Sequence, residues 1–104
     1  MEEKINEIRK ELRTRVKFAV IDILELVEKE SGTSIRYEEL PLKAPRQIRI
    51  SIFSDLIRMT VLREILRTIK QHGLKIMSVI IERWKDELVL EIVVALKDGE
   101  KHDE

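Results

Sequence analysis

The 104 residues carry 20 Lys and Arg against 20 Asp and Glu, a formal charge of zero that argues against a protein whose main task is neutralising phosphates. With 43% apolar residues the chain can bury one core, with no room for a second domain, and the absence of cysteine excludes disulfides, thiolate catalysis and Cys-ligated metal sites. No apolar run reaches the ~18 residues that span a bilayer, and Glu2, Glu3, Glu7 and Glu11 stand where a signal or transit peptide would carry none, so a cytoplasmic location is expected.

Residues 3–30 are expected to form one long helix, because Ile5, Ile8, Leu12, Val16, Ala19, Ile23 and Val27 recur at three- and four-residue spacing and Ser31-Gly32 provides a stop. Nine of the twelve residues from Val16 to Val27 are apolar, which asks for cover on more than one side. Thr33–Tyr37 alternates as a short strand, and residues 38–46, with Pro41 and Pro45, are expected to be a loop. Gln47–Phe53 is a strand with Ile48, Ile50 and Ile52 on its buried side.

Ser54 or Asp55 is placed to cap a second helix that ends near His72, with Gly73 as its left-handed stop. Met59, Leu62, Ile65, Leu66 and Ile69, joined by Ile57 and Val61, form its expected core stripe, and Arg58, Arg63, Arg67 and Lys70 form a basic outer stripe. Residues 75–84 and 87–97 are strands joined by a tight turn at Lys85-Asp86, and residues 98–104 are a polar tail. The expected architecture is α+β: one domain over residues 1–97, in the order α-β-β-α-β-β, with two helices on one face of a four-stranded antiparallel sheet as a ferredoxin-like two-layer sandwich. High charge of both signs with three glycines and two prolines is a composition seen in heat-adapted proteins.

Catalytic chemistry has few candidates. His72 falls at a helix C-terminus, where an imidazolium complements the dipole, and His102 lies in the tail beside Asp103 and Glu104 without a partner motif. The glycines are isolated, so no phosphate loop exists, and the carboxylates alternate with Lys and Arg as ion pairs do. No catalytic residue, metal ligand or cofactor is expected, and the chain is not expected to be an enzyme. The spacing Gln47, Ile50, Phe53 partly matches a sliding-clamp peptide, but Ser54 stands where a second aromatic belongs and strand alternation already explains Ile50. The basic stripe reads first as a solvated face and second as a nucleic-acid surface.

The informative feature is surplus apolar surface. Phe18, Val20, Ile21 and Leu24 on the first helix, Val89 and Val93 on the last strand, and Trp84 before the hairpin turn are the candidate interface. On the strand before that turn, Met77, Val79 and Ile81 alternate with Ile76, Ser78 and Ile80, so either choice of inner face leaves the other set outside. A homodimer is the expected remedy, with a heterologous protein as the other option.

The run Glu28–Ile35, then Ile48, Ile50 and Ile52, the helix Leu62–Ile69, then Leu74 and Ile76, and finally Leu88, Leu90 and Ile92 resembles the ferredoxin-like domain of PilO and GspM assembly proteins over residues 20–97. That resemblance implies a dimerising scaffold of a pilus or secretion machine, although those proteins carry a transmembrane helix where this chain has the charged segment 3–15. Residues 47–96 also look like part of an ACT-like regulatory domain, through Leu62-Arg63-Glu64-Ile65 and His72–Ile76. The ACT likeness implies a small-molecule site near Ser54–Arg58, but Ile57-Arg58-Met59 replaces the Pro-Gly of its ligand turn.

Overall fold

A computed structural model describes residues 2–27, 33–40 and 47–97. The elements are α1 (Glu2–Val27), β1 (Ser34–Glu39), β2 (Ile48–Ser54), α2 (Met59–Gln71), β3 (Leu74–Trp84) and β4 (Glu87–Leu96). The expected helix end at 28–30, its Ser31-Gly32 stop, loop residues 41–46 and the tail 98–104 lie outside the described residues.

The four strands form one antiparallel sheet in the order β1-β2-β4-β3. β2 and β3 flank β4, so both run opposite to it and parallel to each other, with α2 as their connection. Apolar alternation fixes the face of the central strands: Ile48, Ile50 and Ile52 of β2 and Leu90, Ile92 and Val94 of β4 point to one side. There they form a single cluster with Leu12, Val16, Ala19, Val20, Ile23 and Val27 of α1 and Leu62, Ile65 and Ile69 of α2. Both helices therefore cover the same face, and the architecture is α+β.

Four expectations change. β1 continues through Glu38 and Glu39, because their ladder with Arg49 and Ile48 is intact, so the loop starts later than residue 38. Ser54 does not cap α2: it stays in β2 opposite Leu88, and its hydroxyl folds onto the Leu56 backbone, donating to the carbonyl at 2.9 Å and accepting from the N–H at 3.3 Å. The helix starts at Met59 behind Arg58, which has extended backbone angles and no side-chain cap. Met59 then falls in the first turn, 64% exposed rather than in the core, and Leu66 is only half-buried.

The stop of α2 follows the sequence. Gly73 adopts φ +75° and its N–H donates to the Lys70 carbonyl at 3.0 Å, a left-handed ending that glycine reaches without a Cβ clash. Arg15 of α1 reaches the same point, donating from Nη1 to the His72 carbonyl at 2.9 Å, and so ties the two helices together.

Candidate functional site

β3 is the element whose burial departs most from that of a sheet strand. Its register against β4 pairs Ile76 with Val94 and Ser78 with Val93, leaving Met77 as an extra residue in a bulge. The bulge resets the alternation. Leu74 and Ile76 point to the helices before it, and Val79 and Ile81 point to the helices after it, opposite Ile92 and Leu90. Ser78, Ile80, Glu82 and Trp84 occupy the outer face. Lengths then decide exposure: 13 residues of α2 extend about 20 Å, whereas 11 residues of β3 extend about 36 Å. α2 cannot cover the far half of the strand. Val79 and Ile81 are thus left exposed on the helix side, Met77 is exposed in the bulge, and Ile80 and Trp84 are exposed on the outer face that neither helix covers, Trp84 to 59%.

A second exposed apolar stripe lies on α1, where Phe18, Ile21 and Leu24 recur every three residues. Of the seven interface residues expected from sequence, these three and Trp84 are open to solvent, and Val93 is half-buried. Val20 and Val89 are buried within the single chain, Val20 in the helix–sheet core and Val89 on the outer face between Phe53 and Glu82. Neither has area left for a partner. Met77, Val79, Ile80 and Ile81 were not singled out as interface residues from sequence; the signal was the shift in apolar spacing from Leu74 and Ile76 to Val79 and Ile81, which only a bulge reconciles with one inner face.

The basic stripe is present: Arg58, Arg63, Arg67 and Lys70 are all exposed, with Arg67 3.6 Å from Glu64. Tyr37, Arg49 and Phe53 do not form a stacking platform, since Tyr37 points to the helix side and the other two to the outer face. Arg36 sits over the Phe53 ring at 5.7 Å, and Arg49 pairs with Glu38.

Polar contacts elsewhere join elements. Glu39 receives Arg9 and Arg13, holding β1 to α1. His72 Nε2 lies 2.7 Å from Asp22 Oδ2 at the helix–helix seam. Thr33 donates to the Ser54 hydroxyl at 3.1 Å. Among the described residues, no group of three or more His, Asp or Glu is placed to hold a metal ion. Depressions are present among the described residues. An open groove of about 530 Å³ runs between Arg13, Thr14 and Lys17 of α1 and Tyr37–Glu39 of β1. The cleft at Ser54–Arg58 encloses about 10 Å³, room for roughly one water molecule. Among the described residues, no helix is long and apolar enough to cross a membrane.

Compared with known proteins, the chain matches no protein-family model and no curated protein.

Proposed function

We propose that the chain is a non-catalytic interaction module that works as a homodimer, its elements in a permuted ferredoxin-like arrangement of the kind assembly scaffolds use. The observation that carries this reading is the concentration of exposed large apolar side chains on β3 and along one stripe of α1. A monomer that keeps them in water forfeits roughly 25 cal/mol for each Å² of apolar surface it could cover. Support for the arrangement comes from α2 joining two parallel strands across β4.

The ACT-like alternative needs ligand space near Ser54–Arg58, and a cleft of about 10 Å³ speaks against it. The exposed row Arg63, Arg67, Lys70 supports, as the second reading, a nucleic-acid accessory role. Light scattering across a micromolar dilution series tests the first reading, with a mass of twice 12.3 kDa expected and a constant single-chain mass against it. For the second, binding to an oligonucleotide should weaken steeply with salt and on Arg63→Glu with Arg67→Glu.

A further inference from the structure

We infer that two copies join through the free edge of β3, antiparallel across a two-fold axis at Ile80, making one continuous eight-stranded sheet. The inference rests on the homodimer reading and names its surface.

The two edges of the sheet are built differently. β1 is six residues long, carries Arg36, Glu38 and Glu39, and has its end held by Arg9 and Arg13 of α1. Short, charged edges discourage strand addition. β3 is 11 residues long and, among the described residues, hydrogen-bonds to a strand on one side only. Beyond the bulge, Ser78–Ile81 contains no charge, and three of its four side chains are apolar and exposed on alternating faces. Such an edge is a template for another strand.

Self-pairing has a preferred register, because residues directly opposite in an antiparallel pair share a face. Centred on Ile80, the ladder sets Val79 against Ile81 of the second copy on the helix side, Ile80 against its own counterpart on the outer side, and Ser78 against Glu82. Moving the centre to Ile81 places Ile80 against Glu82 and Val79 against Arg83. Moving it to Val79 runs the ladder into the Met77 bulge. Only the Ile80 centre joins apolar to apolar on both faces without facing like charges.

Met77, Val79, Ile80, Ile81 and Trp84 expose 40–59% of their surfaces, on the order of 500 Å² per copy, so full cover in two copies approaches the ~1,000 Å² at which specific interfaces begin. Edge hydrogen bonds add to this.

The absence of cysteine makes the test clean. Under mild oxidation, Ile80→Cys should form a covalent dimer at least tenfold faster than Ile21→Cys, and a mixture of Val79→Cys and Ile81→Cys chains should cross-link faster than either alone. Ile80→Lys and Ile81→Lys, at exposed positions, should halve the mass seen by light scattering, while Ile21→Glu leaves it unchanged. A wild-type chain that stays at one copy overturns both the dimer and its surface. A wild-type dimer that Ile21→Glu splits and the β3 variants do not, or an Ile80→Cys chain that links no faster than Ile21→Cys, overturns the β3 edge and leaves the dimer standing. If a lysine variant fails to fold, the cysteine rates decide.

Discussion

Ile92 is fully buried between the helices and the middle of the sheet, so Ile92→Ala removes methylene contacts that nothing refills, and a loss of about 2–5 kcal/mol is expected in urea unfolding. Leu66 belongs to the expected core stripe of α2 but is half-buried, and Leu66→Ala should cost about half as much or less. Equal losses at both would mean that the face of α2 is misplaced. At Gly73, φ +75° strains any L side chain, and a Cβ would fall 2.0 Å from Nη1 of Arg15. The flexible guanidinium can move aside, but it then releases the His72 carbonyl. Gly73→Ala should therefore destabilise by about 1–3 kcal/mol, measurable as a lower denaturation midpoint at unchanged m-value. A change below ~0.5 kcal/mol would contradict a left-handed stop there.

Among the elements, strong alternation made β2 and β4 legible: Ile48, Ile50 and Ile52, and Leu90, Ile92 and Val94, are buried as their spacing indicated. α2 was legible at its end and not at its start, because Gly73 encodes the stop in backbone conformation, whereas Ser54 has a competing use in the turn to Leu56. Its N-terminus is correspondingly weak, with a cation at the cap position and no acidic residue in the first turn. Arg58→Asp should supply a cap acceptor and a favourable charge for the dipole, raising stability by about 0.5–2 kcal/mol. No gain would place the helix start elsewhere. The exposed apolar surface was legible on α1, where Phe18, Ile21 and Leu24 are open to solvent, and obscure on β3. Strict alternation cannot decide a strand that changes phase halfway. Val89 differs for another reason: it lies on the outer face, as its alternation indicates, yet Phe53 and Glu82 on neighbouring strands leave it only 7% exposed, and cross-strand cover of that kind is invisible in a strand read singly.

For the whole molecule, principal extents of 45 × 25 × 19 Å follow from pairing a 26-residue helix with a long β3–β4 hairpin that the helices do not fully cover. The uncovered part is apolar, so association should depend on area rather than charge: raising salt from 0.1 to 0.5 M should leave the dimer dissociation constant unchanged or lower it. A dissociation constant that rose steeply would mark an electrostatic interface instead. The most direct measurement is amide hydrogen exchange along β3 at two protein concentrations, one well above and one well below the dissociation constant. Protection of amides within Ser78–Glu82 should increase with concentration while the central strands β2 and β4 stay equally protected at both. Exchange in Ser78–Glu82 that is the same at both concentrations, in a sample whose mass has doubled, would contradict strand pairing at this edge.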